Sequence, residues 1–108
     1  MAGVQFDDLN LEQQYDLWIA YAHTKTANIY MANETDRRYG PQGLHATSVM
    51  SGSFTSSLQR YQSDLEKNAR AQDPRVADLM MSTTQGAATT VLAAVGSAFR
   101  NAGGVCLN

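Results

Sequence analysis

The sequence predicts an α/β fold built on a parallel sheet, with about two strands and four helices. A long helical pattern ends at a Gly-Pro turn and is followed by a short strand-like run, the order found in parallel sheets. A loop of small hydroxyl residues comes directly after that run. Near the end, Gly103-Gly104 precedes an apolar run that predicts a second strand.

Length and composition set the limits of this prediction. The chain has 108 residues, enough for a single small domain, and 44% of them are hydrophobic. The net charge of -2 leaves no basic patch, which argues against a nucleic-acid partner. No apolar run is long enough for a membrane span and no signal peptide is recognisable, so a cytoplasmic location is predicted. Cys106 is the only cysteine in the sequence, so an internal disulfide is excluded and a buried thiol is expected.

The first 39 residues divide into an acidic lead-in and a long helix. Residues 1–16 contain four carboxylates and no histidine, so we expect a solvated segment that is irregular or a single short turn, not a metal site. The helix is predicted over 17–39, with Asp16 as its N-cap. Gly40 is expected to end it in a left-handed conformation, and Pro41 prevents its continuation.

The remaining elements follow from caps and turn residues. A strand is predicted over 44–50, after the Gly40–Gly43 turn. Asp73-Pro74 is typical of a helix start, and Ser82 with Gln85 matches a capping box. Helices are therefore predicted over 57–71, 74–81 and 83–100, and a final buried strand over 104–107.

Tyr21, Lys25 and Asn28 lie on one face of the first helix, at i, i+4 and i+7. A free phenol titrates near pH ~10, and a neighbouring fixed positive charge lowers its pKa toward the range useful for acid/base catalysis. The pair is thus a candidate catalytic device. The alternative is a solvated lysine stacked over a core tyrosine, with no chemical role.

The loop Ser51–Ser57 has two interpretations. Ligands bind at the carboxyl ends of strands in open α/β sheets, and small hydroxyl residues there can hold a phosphate through hydroxyl and backbone N–H groups. The same residues also suit a plain strand-to-helix connection with a capping hydroxyl.

Taken together, these stretches resemble the C-terminal part of a short-chain dehydrogenase/reductase, in the branch of the retinol dehydrogenases and the WW-domain oxidoreductase. Tyr21-Ala-His-Thr-Lys25-Thr-Ala-Asn28 is similar to the Tyr-x-x-x-Lys-x-x-Asn stretch of that family. The resemblance covers nearly the whole chain. Its other supporting stretches are Phe6-Asp-Asp-Leu-Asn10, Arg37-Arg38, Leu58-Gln-Arg60, Gln85-Gly-Ala-Ala-Thr-Thr-Val91 and Gly103-Gly-Val-Cys-Leu107.

The resemblance implies the C-terminal portion of a Rossmann-like, doubly wound parallel sheet, incomplete on its own. It also implies an oxidoreductase that interconverts small-molecule alcohols and carbonyls with NADP or NAD. By this analogy Tyr21 exchanges a proton with the substrate oxygen, and Lys25 lowers its pKa and holds the nicotinamide ribose. The family's cofactor contacts after the strand correspond to Ser51, Gly52 and Ser56. No metal site is implied.

Departures from the family pattern support a second hypothesis. The sequence contains no Gly-x-Gly-x-x-Gly loop, and Ser51 stands where the family has proline in His-Pro-Gly. The chain is therefore expected to be N-terminally truncated and weak or inactive alone. The alternative is a non-redox relative that acts in binding or assembly, or in acid/base catalysis through Tyr21. Too few strands for four helices predicts exposed apolar surface, and with it oligomerisation, a partner chain or poor solubility. The resemblance to the family implies a homo-oligomer formed by the Tyr/Lys helix and the next one.

Overall fold

The chain divides into two compact units, which are described separately. A computed structural model describes residues 3–108, apart from the side chains at positions 70, 71 and 77. Unit 1 contains residues 3–48 and Asn101–Cys106, and unit 2 contains Val49–Arg100 and Leu107–Asn108. The prediction of one partial domain over 1–108 stays a prediction.

Unit 1 is dominated by one long helix. A short 3₁₀ turn at Phe6–Asp8 precedes helix α1, Leu17–Tyr39. The Asp16 side chain accepts hydrogen bonds from the backbone N–H groups of Trp18 and Ile19, both at 2.9 Å, so it is the predicted N-cap. These bonds satisfy two donors that have no partner within the helix.

The end of α1 differs from the prediction at one glycine. Gly40 keeps a right-handed conformation, with φ of -54°, and begins a 3₁₀ turn over Gly40–Gln42. Gly43 is the left-handed residue, with φ of 91°. The predicted left-handed stop at Gly40 is therefore wrong. Pro41 fits the first turn of a 3₁₀ helix because its missing N–H is not needed there, and the reversal is delayed to the next glycine.

The first and last strands of the described chain pair with each other. Strand β1, Ser48–Val49, pairs with strand β4, Cys106–Leu107, in a two-stranded sheet. Ser48 N–H donates to Val105 O at 3.2 Å and Met50 N–H to Leu107 O at 2.6 Å, so both strands advance in the same direction. The two predicted strands exist and pair in parallel, but each is shorter than predicted.

A second parallel pair lies in unit 2, at positions where no strand was predicted. Strand β2, Ser53–Phe54, pairs in parallel with strand β3, Met80–Met81, with Ser53 opposite Met80 and Phe54 opposite Met81. β2 falls within the predicted hydroxyl loop, and β3 replaces the end of the predicted helix 74–81. Period-2 patterns cannot be recognised in strands of two residues.

The helices of unit 2 are shorter than predicted. The range 57–71 divides into a 3₁₀ turn, Ser57–Tyr61, and helix α2, Asp64–Gln72, because Gln62 adopts an extended conformation. Helix α3 is Pro74–Ala77 and begins at the predicted Asp73 cap. Helix α4, Thr83–Val95, has the predicted capping box of Ser82 and Gln85. It ends before Arg100 because Gly96 is extended.

Little of the described chain is buried. Leu11 is the one hydrophobic residue with a described side chain that counts as buried, at 4% exposure. The chain exposes 8363 Å². A compact protein of 11.8 kDa would expose about 5,900 Å², and two compact domains of half that mass would expose about 7,100 Å² together. Large hydrophobic side chains are exposed along the described part of the chain, among them Tyr61 at 88% and Leu65 at 80%, so the predicted exposure of apolar surface is present.

The structure also bears on the predictions for Cys106 and for a membrane span. Cys106 is an exposed free thiol, so its prediction as a buried thiol is wrong. Its strand β4 has one neighbouring strand and is not covered on that side chain's face. Among the described residues, no helix is both long enough and apolar enough to cross a membrane.

Candidate functional site

The predicted acid/base residues lie on the exposed face of α1. Tyr21 is 50% exposed, and Lys25 and Asn28 are exposed as well. The Lys25 ammonium lies over the Tyr21 ring, 5.3 Å from its centroid. Trp18 meets the same ring edge-on, with centroids 6.4 Å apart and planes inclined by 75°. The helix thus brings Tyr21 and Lys25 into contact, as their spacing predicts.

This geometry is that of a cation–π pair. An ammonium within about 6 Å of a ring centroid is attracted by the negative face of the ring. Trp18, three residues earlier on α1, contacts the same ring and restricts its movement. The alternative interpretation is a lysine stacked over a core tyrosine. The lysine does stack over the ring, but Tyr21 is half exposed and is not a core residue. The catalytic roles of both residues stay predictions.

The second predicted group, Ser51, Gly52 and Ser56, flanks β2 in unit 2. Gly52 has φ of 82°, a conformation that residues with a side chain rarely adopt. A Cβ at this position would overlap the terminal methyl of Met81 in β3. The left-handed backbone therefore favours glycine here, independently of any cofactor, whereas the Met81 methyl is the end of a flexible side chain and can move aside. Ser51 precedes it and is half-buried.

Ser56 is a helix-capping residue. Its hydroxyl accepts a hydrogen bond from Leu58 N–H at 3.2 Å, and its own N–H donates to Gln59 Oε1 at 2.8 Å. Gln59 Nε2 in turn donates to Phe54 O at 3.3 Å. The structure therefore contains the capping arrangement that the sequence offered as one alternative for this loop. Its role in holding a phosphate stays a prediction.

Unit 2 also contains a cavity that the sequence did not predict. Its volume is about 640 Å³ and its surface is mostly apolar. Among the described lining residues, Arg60 and Lys67 are cationic and none is an Asp or Glu. Phe54, Val76 and Met80 supply apolar surface, and Ser56 lies at the same wall. These residues come from five separate elements, namely β2, the 3₁₀ turn Ser57–Tyr61, α2, α3 and β3, so no spacing in the sequence could have grouped them.

Asp36 is a second feature of unit 1 that sequence reasoning missed. Its Oδ1 lies 2.9 Å from His45 Nδ1 and accepts a hydrogen bond from Ala46 N–H at 3.2 Å. A Cβ on Gly103 would overlap the same carboxylate. Asp36 thus links the end of α1 to the segment leading into β1. A separation of nine residues between Asp36 and His45 gives no recognisable motif.

Glu34, two residues earlier on α1 than Asp36, forms a different carboxylate site. It accepts hydrogen bonds from Arg37 Nε at 2.7 Å and from Arg38 Nε at 2.6 Å. The bonds from Arg37 first, and then from Arg38, lower the pKa of Glu34 to about 2. Both arginines are mainly exposed, so this cluster is a surface ion-pair network.

The described residues include no group of three or more histidine, cysteine, aspartate or glutamate side chains that could hold a metal ion. In the acidic lead-in, Asp8 uses its carboxylate to accept the N–H groups of Glu12 at 2.9 Å and Gln13 at 3.2 Å. This carboxylate therefore has a structural role in shaping the segment.

Comparison with known proteins gives four curated fungal relatives and two mammalian ones. The chain is 41% identical over 107 residues to the short-chain dehydrogenase/reductase prx1 of Penicillium roqueforti, covering 99% of this chain and 32% of that protein. It is 36% identical over 113 residues to the oxidoreductase calI of Penicillium decumbens, covering 99% and 33%. The chain thus spans about a third of the length of these relatives.

A more distant similarity extends to mammals. Human retinol dehydrogenase 11 is 37% identical over 63 residues, which are 58% of this chain and 20% of that protein. No protein-family model matches the chain, and no solved structure matches it. The relatives that it matches along 99% of its length confirm the resemblance found in the sequence. By sequence, the chain is similar along 99% of its own length to members of the short-chain dehydrogenase/reductase family, as a segment about one third as long as those relatives.

Proposed function

We propose that the chain carries the proton-transfer helix of an NAD(P)-dependent oxidoreductase that interconverts alcohols and carbonyls. Tyr21 exchanges a proton with the substrate oxygen, and Lys25, whose ammonium lies over the Tyr21 ring, provides a positive charge beside it. The contact between Lys25 and Tyr21 on an exposed helix face is the observation that carries this proposal. Its support from outside the structure is similarity to proteins named oxidoreductases along 99% of the chain.

The residues present fit one part of the cofactor. The exposed Lys25 ammonium can donate hydrogen bonds to ribose hydroxyls. Ser51 and Gly52 are proposed to contact the nicotinamide side. Ser56 fits a phosphate less well, because its hydroxyl and its N–H already serve the cap. When bound, the nicotinamide supplies the hydride chemistry.

We expect little dehydrogenase activity from these 108 residues alone. The sequence has no Gly-x-Gly-x-x-Gly loop, the element that holds a dinucleotide pyrophosphate. The first measurement is therefore the mass of the native protein, by immunoblot of source cells with an antibody to this segment. A mass near 11.8 kDa would make the non-redox alternative the better description.

The decisive test uses the native protein isolated with that antibody. Reduction of a panel of aldehydes and ketones is followed with NADPH and with NADH. Tyr21→Phe is expected to lower the rate by about 10²–10⁴-fold, because it removes the proton-transferring hydroxyl. Tyr30→Phe is the matched control, since Tyr30 is also 50% exposed on α1. An active Tyr21→Phe variant, or no activity with either cofactor, would refute the redox proposal.

The second candidate function is binding or assembly without redox chemistry, or an acid/base step through Tyr21. The large exposed area favours assembly, because contiguous exposed apolar surface usually marks an interface. On α1 the exposed hydrophobic residues include Trp18, Tyr30 and Met31, the last at 72%. We propose a homo-oligomer that uses α1 and the helix after it.

Sedimentation of the purified chain tests this assembly. A concentration-dependent dimer is expected, and Met31→Glu should weaken it by about tenfold or more, because a charge would be buried at the contact. Asn33→Glu adds the same charge at an exposed position two residues further along α1 and should leave the dimer unchanged. A monodisperse monomer would contradict the assembly.

A further inference from the structure

The cavity of unit 2 has the size of a small-molecule site. Its volume of about 640 Å³ falls within the ~300–1,000 Å³ typical of ligand pockets. Phe54 of β2 and Met80 of β3 lie on neighbouring parallel strands, and Val76 of α3 adds a third apolar side chain. A ligand placed here would bury an apolar body against these three residues.

The polar part of the wall has one sign of charge. Of the lining residues that the structure describes, the charged ones are Arg60 and Lys67, and both are cations. The nearest described counter-charge is Asp64, whose carboxylate lies 4.0 Å from the Lys67 ammonium and whose side chain is 97% exposed. An exposed carboxylate at that distance is screened by water and does not neutralise the lysine.

The Arg60 side chain is held in place by two contacts. Its NH1 group donates to Ser57 O at 2.9 Å, and its guanidinium lies 4.8 Å from the centroid of the Tyr61 ring. A guanidinium has five N–H donors in a rigid plane, and the bond to Ser57 uses one of them. Arg60 is therefore an oriented donor whose planar edge suits a carboxylate.

From these observations we infer that the cavity binds an amphipathic anion, with its apolar body against Phe54, Val76 and Met80 and its carboxylate at Arg60 and Lys67. The inference goes beyond the proposed oxidoreductase function and does not depend on it, because all five residues lie in unit 2 and none transfers a proton. A neutral ligand of the same shape would leave both cations without a partner of opposite charge in the cavity.

Calorimetric titration of the 108-residue chain with three probes of equal chain length tests the inference. The probes are octanoate, octanol and octyltrimethylammonium. Octanoate is expected to bind about tenfold or more tightly than octanol, because hydrogen bonds to a charged group add to the shared apolar contact. Octyltrimethylammonium should bind most weakly. Equal affinities for the three probes, or no binding of octanoate, would overturn the inference.

Variants separate the role of charge from that of structure. Arg60→Gln and Lys67→Gln should each weaken octanoate by about tenfold and leave octanol unchanged, which also shows that the cavity is intact. Lys67→Arg keeps the charge and should keep most of the affinity. Arg75→Gln is the matched control, since Arg75 is an exposed cation of unit 2 that does not line the cavity. An equal loss with Arg75→Gln would overturn the inference.

Discussion

The two units of this chain differ in the contacts that stabilise each of them internally. In unit 1, the Asp36 carboxylate joins α1 to the segment before β1 through His45 and Ala46. In unit 2, the elements meet where glycine removes a side chain: Gly52 lies against Met81, and Gly86 lies against the Phe54 ring. Unit 1 therefore depends on polar groups with defined partners, and unit 2 depends on close approach.

This difference separates the two candidate sites as well. Tyr21 and Lys25 are four residues apart on one helix, so the helix alone brings them together. The cavity of unit 2 requires β2, the 3₁₀ turn Ser57–Tyr61, α2, α3 and β3 in their places. A chain that loses tertiary packing but keeps α1 would keep the tyrosine–lysine pair and lose the cavity. The comparison can be tested by substitutions that act on one unit at a time.

The largest effect is expected from Asp36→Ala in unit 1. It removes the acceptor of Ala46 N–H and the partner of His45, both half-buried, so the free energy of unfolding should fall by about 2 kcal/mol. Urea unfolding followed by circular dichroism measures it. Glu34→Ala removes an exposed carboxylate from the same helix and should have little effect. Equal losses would mean that Asp36 is no more than a surface charge.

A smaller effect is expected from Gly86→Ala in unit 2. The new Cβ would lie 2.5 Å from a carbon of the Phe54 ring, which must move. Overpacking costs ~1–3 kcal/mol, and the helix propensity of alanine returns up to about 1 kcal/mol, so a net loss of about 1 kcal/mol is expected. Gly3→Ala is the control, since nothing lies within 4 Å there. Stabilisation by Gly86→Ala would contradict the close approach.

The N-caps of α1 and α4 should contribute about equally to the free energy of unfolding, although the two helices lie in different units. Ser82→Ala removes the acceptor of Gln85 N–H in α4, and Asp16→Ala removes that of Trp18 and Ile19 in α1. Each substitution should cost about 1 kcal/mol, because capping is local to the first turn. Hydrogen exchange of the first-turn amides measures both. Strong protection that survives either substitution would show that tertiary contacts, not the caps, hold these turns.

The smallest effect is a pH dependence confined to α1. Because its pKa is lowered to about 2 by Arg37 and then Arg38, Glu34 stabilises the folded state above its unfolded pKa. That contribution is lost as the pH falls from about 4.5 toward 2. Helix content in this range should respond less to pH in Glu34→Gln than in the wild type, and less in both at high salt. Identical titrations of the two proteins would contradict the network.

Local features could be predicted because neighbours in sequence produce them. The bounds of α1, its Asp16 cap, the Asp73 cap and the Ser82 capping box follow from residue types within one turn. The same holds for the contact between Tyr21 and Lys25, which is a property of helical spacing. The resemblance to the family could be recognised from the sequence because the similarity extends along 99% of the chain.

What only the tertiary structure decided involves groups far apart in the chain. Strands β2 and β3 have two residues each, and they exist because Ser53 and Phe54 find Met80 and Met81 across 25 or more positions. The exposure of Cys106, the joining of Asp36 to His45, and the placement of Arg60 and Lys67 around one cavity have the same origin. A sequence pattern encodes the preference of each segment, whereas these contacts depend on which surfaces the folded segments present to one another.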